Sequence, residues 1–372
     1  MAQAGPLGLY VHIPFCSGKC AYCDFTSFPG RTADIPRYLA ALEAEARLGS
    51  AGRSPETLYV GGGTPSELDA AQITELFARL RRAYPEARLG EVTFELNPES
   101  SGEEKLRALR RAGVTRLSIG FQSLDKKVLQ AAGRRHTPED SLRAFRSARS
   151  MGDWSVSVDV ICGLPGQSAA VFREDLDRVL ALEPDHLSLY GLDVHEGTPL
   201  SRSGFVADED LGRDMLEAAL GLIAAAGLAH YEISNFARPG HESRHNLNYW
   251  GAGEYVGLGC AAASHLDGVR SRNSSDLEEY CRRVEAGARP GVESEKLEGK
   301  DKLGERVFLG LRRVAGLKLE SGMEREFRRE WEDLERRGLV TRHGGRARLT
   351  RDGLFLANEA FAEFVAPFKE PI

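Results

Sequence analysis

The stretch "HIPFCSGKCAYCDF" (12–25) places three cysteines within eight residues, at Cys16, Cys20 and Cys23. Iron–sulfur cubanes are usually held by four thiolates, and structural zinc sites close with four ligands. Three thiolates leave one iron of a cubane open, by the logic that separates catalytic from structural zinc sites. An open iron invites a small molecule that chelates through its own amino and carboxylate groups, as S-adenosylmethionine does. The spacing Cys-x3-Cys-x2-Cys therefore predicts a [4Fe-4S] cluster with exchangeable S-adenosylmethionine.

Two other interpretations of the three cysteines, a zinc site and a redox pair, fit the sequence less well. A zinc site needs a fourth ligand, and His12, four residues before Cys16, is expected to lie inside a strand. A thioredoxin-type Cys-x2-Cys pair uses only Cys20 and Cys23 and leaves Cys16 without a role. The other three cysteines are isolated in or near apolar stretches and are expected to be small buried hydrophobes: Cys162, Cys260 and Cys281.

Length, charge and hydropathy bound the class of protein. A chain of 372 residues suggests a large domain with an appendage. The net charge of −6 gives no overall attraction to nucleic acid or to an anionic membrane. No apolar run approaches the roughly 18 residues that span a bilayer, and the first residues lack the features of a signal peptide. We therefore expect a cytosolic protein with reduced thiols and no membrane insertion.

Strand-like and helix-like patterns alternate along the first half of the chain. The strand-like runs are 8–13, 57–62, 91–96, 115–121, 155–161 and 186–192. Between them, the helix-like segment 69–84 carries one apolar face at the spacing i, i+3, i+4, i+7, which consists of Ile73, Leu76, Phe77 and Leu80. This alternation predicts an α/β fold with a parallel sheet, open or closed into a barrel.

Most residues with distinctive chemistry stand where the predicted strands end. They are Cys16, the glycine run 61–63, Glu95, Gln122 and Asp159. In β/α barrels the loops after the carboxyl ends of the strands build the active site. We therefore expect these side chains to share one mouth of the barrel.

The pattern changes after about residue 200. Residues 228–260 are rich in glycine, histidine and aromatic residues without a helical period, and 287–301 is expected to be an exposed linker. Beyond it, Phe327, Trp331 and Leu334 share a helix face, and a hairpin is predicted to turn at Gly344-Gly345. We therefore divide the chain into a core at 1–205, an extension at 206–286 and a small winged-helix-like domain at 287–372. The hairpin carries three basic residues, Arg342, Arg346 and Arg348. They would suit nucleic acid, but we favour a hairpin that is simply exposed to solvent.

The cysteine motif, with Tyr22 just before the last cysteine, resembles that of the radical S-adenosylmethionine superfamily. "YVHIPFC" and "KCAYCDF" are similar, more narrowly, to the oxygen-independent coproporphyrinogen III oxidases and their relatives, the HemW haem chaperones. The resemblance extends from Tyr10 to at least Trp250 and is weaker in the C-terminal domain. It implies a partial (β/α)6 barrel with the [4Fe-4S] cluster and S-adenosylmethionine at its mouth.

The resemblance also implies which residues surround S-adenosylmethionine. In "YVGGGTPS" it assigns contacts to Gly62, Gly63 and Thr64, and glycines let a backbone approach a ligand closely. Carboxylates and amides suit ribose hydroxyls and an ammonium, while arginine suits a carboxylate. The other implied residues are Tyr10, Tyr22, Glu95, Gln122, Arg134 and Asp159.

The segment "RHNLNYW" (244–250) combines an imidazole with two large aromatic side chains. Imidazole is a common axial ligand of haem iron, and flat aromatic rings suit a porphyrin face. The string resembles the HNxxYW signature of HemW proteins, which implies haem binding by His245, Asn246, Tyr249 and Trp250. The chain departs from the family pattern at Ala263, where the family commonly has histidine, and His265 follows two residues later.

Three features favour the chaperone over the oxidase. The oxidases place an additional cysteine where this chain has Phe25, and they carry a substantial N-terminal extension whereas this sequence starts almost at the first strand. The HNxxYW string is present in this sequence. The resemblance then implies haem as cargo, a haem-accepting apo-protein of respiration and a flavodoxin- or ferredoxin-type electron donor. Radical decarboxylation of porphyrinogen propionates is the enzymatic alternative. A structural alternative is an interaction module that the iron–sulfur cluster merely stabilises.

Overall fold

The computed structural model describes residues 6–49 and 53–366. The first five residues, on which the signal-peptide argument partly rests, lie outside the described residues. The strands are β1 Leu7–Ile13, β2 Phe15–Cys16, β3 Phe28–Pro29, β4 Thr57–Gly62, β5 Glu91–Leu96, β6 Arg116–Gln122, β7 Ser155–Cys162, β8 His186–Gly191, β9 Ala229–Glu232, β10 Asn235–Ala237, β11 Glu254–Leu258, β12 Ala263–Leu266, β13 Val269–Asn273, β14 Gly291–Lys296, β15 Leu317–Lys318, β16 Val340–His343 and β17 Arg346–Leu349.

Helices connect most of these strands, and short 3-10 turns add Thr32–Asp34, Pro65–Glu67 and Pro98–Ser100. The helices are α1 Ile35–Gly49, α2 Ala70–Ala83, α3 Glu103–Ala112, α4 Lys126–Ala131, α5 Pro138–Met151, α6 Ala169–Leu180, α7 Pro199–Arg202, α8 Glu209–Ala225, α9 Arg244–Trp250, α10 Leu277–Glu285, α11 Gly299–Leu311, α12 Ser321–Glu326, α13 Arg328–Arg336, α14 Arg351–Phe355 and α15 Ala357–Ala362. Within the described ranges, no helix is both long and apolar enough to cross a membrane.

Twelve strands form one large sheet around a parallel centre. Strands β1, β4, β5, β6, β7 and β8 pair in parallel in that order, and β11 is parallel to β1 on its other side. The antiparallel strands β12 to β14 extend the sheet at one edge, and β10 and β9 extend it at the other. The six βα units confirm the predicted α/β fold with a partial (β/α)6 barrel.

The helices cover the outer face of the sheet, as helix α2 illustrates. A capping box between Asp69 and Gln72 starts α2, and its apolar stripe is buried against the sheet. That stripe is the predicted one: Ile73, Leu76, Phe77 and Leu80. Because the six central strands are parallel, all their carboxyl ends lie at one rim of the barrel and all their amino ends at the other.

The second half of the chain contains more strand than the sequence indicates. Residues 228–260 contribute β9, β10, the short helix α9 and β11. The expectation of a linker at 287–301 is wrong for residues 291–296, which form the edge strand β14, paired with β13. Every side chain of β14 is exposed, so the strand has no apolar alternation that a sequence pattern would reveal.

The C-terminal segment has a hydrophobic core of its own. Phe327, Trp331 and Leu334 are fully buried in it. Trp331 and Leu334 share a face of α13, whereas Phe327 is the N-cap residue just before that helix. The element order α11, β15, α12, α13, β16, β17 and the three-stranded sheet confirm a winged-helix-like fold. Gly344 and Gly345 turn the hairpin with positive φ angles of 58° and 72°, as the two-residue turn requires.

Candidate functional site

A cavity of about 340 Å³ opens at the rim where the central strands end. Its lining unites side chains from the cysteine loop and from strands β4 to β8, so these residues do share one mouth. The residues from the sequence analysis that line it are Cys16, Cys20, Tyr22, Cys23, Gly62, Gly63, Thr64, Glu95, Gln122, Arg134 and Asp159. Tyr10 is absent from this lining, and its hydroxyl lies 2.9 Å from the His12 ring.

Backbone and side-chain contacts fix the cysteine loop over this cavity. Strands β2 and β3 pair at its base. The Ala21 N–H donates to the Ala132 carbonyl at 3.0 Å, and the Ala21 carbonyl accepts from the Leu200 N–H at 2.8 Å. The Arg135 guanidinium donates to the Ser17 carbonyl at 2.7 Å. These contacts position the loop that carries the three thiols.

The three thiols of the cysteine loop line the cavity, with Cys16 buried and Cys20 and Cys23 half-buried. Burial raises the pKa of Cys16 and of Cys23, and the neighbouring Cys20 raises both further. Within the described part of the chain, no three histidine, cysteine or acidic side chains converge closely enough to hold one metal ion. A cubane does not need such convergence, since each thiolate binds a different corner. Binding of the iron would expel the thiol protons.

His12 is not placed to complete a zinc site. It lies inside β1, as expected, and it is buried. Its Nδ1 lies 2.9 Å from the Tyr10 hydroxyl, and its Nε2 donates to the Thr26 carbonyl at 2.9 Å. Both ring nitrogens are therefore committed within the protein.

Packing against neighbouring residues also requires glycine at positions 62 and 63. Gly62 has φ +117°, and a Cβ at this position would lie 2.6 Å from Nδ1 of the His12 ring. A Cβ at Gly63 would lie 3.1 Å from the Cys16 sulfur. Any side chain here would press on the first strand or the cysteine loop, so glycine is required for packing as well as for access.

Two carboxyl groups lie at the floor of the cavity. Glu95 accepts from the Tyr59 hydroxyl at 2.7 Å and from the Gly62 N–H at 3.2 Å. Burial, with the nearby Asp159, raises the pKa of Glu95 to about 7. Asp159 accepts from the Ser118 hydroxyl at 3.0 Å, and burial raises its pKa as well. These groups could accept hydrogen bonds from ligand hydroxyls or face a ligand cation.

Asn97 also lines the cavity, although no motif in the sequence marks it. Its amide lies 3.2 Å from the Thr64 hydroxyl oxygen and 2.9 Å from the Arg134 guanidinium. Thr64 is in turn 3.3 Å from the Cys16 sulfur, and Arg134 is 3.6 Å from the Cys20 sulfur. Asn97 therefore contacts two side chains, each of which contacts a different one of the three thiols. In the sequence, only its position two residues after Glu95, at a strand end, indicates a place at the cavity.

Backbone strain also occurs at the cavity wall. Gln122 ends β6 with φ +64°, beside a register shift in the β6–β7 pairing. A residue other than glycine is uncommon in this region of φ and is held there only by its surroundings. Gln122 lines the cavity in this conformation.

The segment 244–250 lies at the opposite end of the barrel. It forms α9, and the His245 N–H donates to the carboxylate of Glu91 at 2.9 Å. The ring Nδ1 of His245 lies 2.8 Å from the Thr57 hydroxyl, and Nε2 lies 2.8 Å from the Tyr249 hydroxyl. Because Thr57 and Glu91 begin β4 and β5, α9 closes the amino-terminal end of the barrel.

Of the four residues expected to bind haem, one is buried and three are half-buried. His245 is buried, and both its ring nitrogens have partners. The Asn246 N–H donates to Ser243, which caps α9. The Arg312 guanidinium lies 4.3 Å from the Trp250 ring centre, so helix α11 and the segment after it cover the end of α9.

One aromatic side chain connects the two ends of the barrel. The Tyr59 ring lies 5.3 Å from the His245 ring, while its hydroxyl donates to Glu95 in the cavity floor. Position 263, where the family commonly has histidine, does not take part in the contact between Tyr59 and His245. Ala263 is an exposed residue of β12, and the His265 ring is 6.2 Å from that of Tyr255.

Burial of His245 predicts a specific pH dependence of stability. Desolvation lowers the pKa of folded His245 to about 3, whereas the unfolded chain has the ordinary value of about 6.5. The folded state then stays neutral while the unfolded state gains a proton, so stability present above pH 6.5 is lost as the pH falls toward 3. Between pH 7.5 and 5.0, wild type should lose about 2 kcal/mol more unfolding free energy than His245→Gln.

Urea unfolding at the two pH values measures this difference. His343→Gln, at an exposed position of the C-terminal hairpin, is the control and should keep the wild-type pH dependence. Equal pH dependence in His245→Gln and wild type would contradict the burial of a neutral imidazole.

Comparison with known proteins places the chain in a family. Residues 10–179 match the sequence profile of the Radical SAM superfamily. The "Heme chaperone HemW" of Bacillus subtilis (strain 168) is 33% identical, over 96% of this chain and 98% of that protein. This chain belongs to the HemW family. A second protein of this family, from Mycobacterium tuberculosis (strain CDC 1551 / Oshkosh), is 36% identical over 95% of this chain and 93% of its own length.

The HemW family shares its fold with a radical SAM enzyme. The structure of the coproporphyrinogen III oxidase HemN from Escherichia coli superposes with a TM-score of 0.83 and 27% identity. The match covers 98% of this HemW-family chain and 91% of the oxidase. Membership of the Radical SAM superfamily implies a [4Fe-4S] cluster and S-adenosylmethionine as cofactors.

Proposed function

We propose that this protein is a haem chaperone, which binds haem and transfers it to an acceptor haemoprotein in the cytosol. The observation that carries the proposal is the near full-length similarity to HemW of Bacillus subtilis, at 33% identity. The retained HNxxYW segment, which forms α9, supports it. A respiratory apo-protein as acceptor and a flavodoxin- or ferredoxin-type electron donor complete the proposal.

The cavity supplies the groups for the two cofactors of the superfamily. We assign the three thiols of the cysteine loop to a [4Fe-4S] cluster, which leaves one iron for S-adenosylmethionine. Together the two cofactors would supply radical chemistry: the cluster, reduced by the electron donor, would pass one electron to the sulfonium of S-adenosylmethionine, and one carbon–sulfur bond would break to leave methionine and a carbon radical. Glu95 and Asp159 would accept hydrogen bonds from the ligand, and Arg134 would attract its carboxylate. The glycine run leaves room for its backbone.

We assign haem to the segment 244–250, and the structure defines what binding there requires. His245 offers no free nitrogen to iron while Nε2 is bonded to the Tyr249 hydroxyl and Nδ1 to Thr57. Trp250 is likewise covered by Arg312. Haem binding therefore requires that Tyr249 release His245 and that the contact between α9 and the C-terminal domain open.

Haem titration tests this assignment. We expect the anaerobically reconstituted protein to bind close to one haem per chain. His245→Ala should weaken binding at least tenfold, and His343→Ala should not change it. Tyr249→Phe removes the hydroxyl that occupies Nε2, so it should bind haem faster than wild type. For all four proteins, the Soret band gives the affinity from its titration curve and the binding rate from its time course after mixing with haem. Unchanged affinity in a folded His245→Ala would refute the assignment.

Oxidation of coproporphyrinogen is the second candidate function. The observation that favours it is the overall superposition on HemN, at a TM-score of 0.83. Against it stands Phe25, which lines the cavity mouth with 62% of its surface exposed, where the oxidases are expected to have a further cysteine. Formation of a decarboxylated porphyrinogen by the reconstituted protein distinguishes the oxidase from the chaperone.

A further inference from the structure

The guanidinium of Arg134 starts two hydrogen-bond paths that end on different cysteine sulfurs. One is direct, since Nη1 donates to the Cys20 sulfur at 3.6 Å. Nη2 donates to Oδ1 of Asn97 at 2.9 Å and to the Gly120 carbonyl at 3.1 Å. Arginine is always charged and can only donate, so it fixes the direction of every hydrogen bond beyond it.

Asn97 carries that direction to a second sulfur. Because its Oδ1 faces the guanidinium, its Nδ2 must face Thr64, and it donates to the Thr64 oxygen at 3.2 Å. The reverse orientation of the amide would bring two donors together at Arg134. With its oxygen accepting from Asn97, Thr64 is free to donate its own proton to the Cys16 sulfur, 3.3 Å away. The chain of donors therefore ends on Cys16.

We propose that Asn97 is a positioning residue that directs the Thr64 hydroxyl onto the Cys16 sulfur and thereby raises the reduction potential of the bound cluster. The inference rests on the cluster assignment made above and is independent of haem. Hydrogen bonds to the sulfurs are among the factors that set the potential of an iron–sulfur cluster. They stabilise the reduced, more negative state, so their loss lowers the potential.

The test measures the midpoint potential of the reconstituted cluster in four variants. Thr64→Val keeps the shape of the side chain without the donor, and Asn97→Ala removes the residue that orients it. Each should shift the one-electron equilibrium toward the oxidised cluster about tenfold, a lowering of about 59 mV. Thr64→Ser keeps the hydroxyl that Thr64→Val removes, so its cluster should have the wild-type potential. The double variant should be lowered no further than Thr64→Val alone, since Asn97 acts through Thr64.

Ser100→Ala is the matched control. Ser100 donates to the backbone carbonyl of Asn97 at 3.2 Å and lies 2.5 Å from Ser66, which accepts from the Asn97 N–H. It therefore supports the Asn97 backbone and not the side-chain amide that orients Thr64. The midpoint potential of the cluster in Ser100→Ala should equal that of wild type. Full additivity of the two shifts, an unshifted Asn97→Ala, or an equal shift in Ser100→Ala would overturn the inference. So would failure of both variants to assemble the cluster, which would make the donors an assembly requirement.

Failure of this inference is distinguishable from failure of the proposed function. If wild type itself assembles no cluster, the cofactor assignment fails. If wild type assembles one whose potential is insensitive to Asn97 and Thr64, only the positioning role fails. Iron and sulfide content, measured on every sample, separates the two outcomes.

Discussion

Replacing Cys23 with alanine is expected to abolish assembly of the [4Fe-4S] cluster, with iron content below a tenth of the wild-type value. Cys16, Cys20 and Cys23 lie on one loop whose ends are fixed by β2, β3 and helix contacts, and all three line the cavity. With only two thiolates, two of the four irons would lack a protein ligand, and two protein ligands are too few to retain the cubane. Iron and sulfide analysis after anaerobic reconstitution measures the effect.

Cys281→Ala is the control for this variant. Cys281 is buried in α10 and belongs to the main hydrophobic core. Its replacement should cost about 1 kcal/mol of unfolding free energy, through the loss of one buried sulfur atom, and should leave iron content unchanged. A wild-type iron content in Cys23→Ala would contradict the assignment of the three thiols.

Replacing Gly62 with alanine is expected to destabilise the fold by about 2 to 5 kcal/mol and to reduce cofactor binding. The positive φ of +117° costs an L-residue roughly 1–2 kcal/mol, and overpacking typically costs 1–3 kcal/mol more. The added Cβ would lie 2.6 Å from the His12 ring, which cannot move aside cheaply because Tyr10 and Thr26 hold both its nitrogens. Urea unfolding measures the loss.

Gly166→Ala separates strain from steric overlap. Gly166 has φ +76°, and a Cβ there would meet nothing within 4 Å. This control should show only the cost of the positive φ, about 1–2 kcal/mol. Equal losses in the two variants would show that the contact with His12 contributes nothing.

The parallel core could be predicted from the sequence because its strands carry their signal locally. The runs 57–62 and 91–96 coincide with β4 and β5. The first is mostly apolar, and the second alternates polar residues with Val92, Phe94 and Leu96, which is a strand pattern. The strand ends then place the cavity residues together without any knowledge of distant contacts. Helix α8 was equally predictable, because its buried Met215, Ala219 and Ile223 recur at helical spacing.

The rest of the site depends on contacts between residues far apart in the chain. The Nδ1 atom of His245 bonds to Thr57, 188 residues earlier, and no local pattern indicates that an imidazole beside two aromatic residues closes the barrel. Asn97 gains its role only because Arg134 and Thr64 meet it in space. The edge strand β14 is exposed on all its side chains and therefore resembles a linker in sequence.

The central claim is that this protein delivers haem and does not oxidise porphyrinogen, and one parallel measurement tests it. The reconstituted protein would be loaded with haem and mixed with an apo-haemoprotein, following the Soret band of the acceptor. The same preparation would be incubated with coproporphyrinogen III, S-adenosylmethionine and a reductant. We expect haem to move to the acceptor with no protoporphyrinogen formed. Protoporphyrinogen formed without haem transfer would contradict the account and make the protein an oxidase.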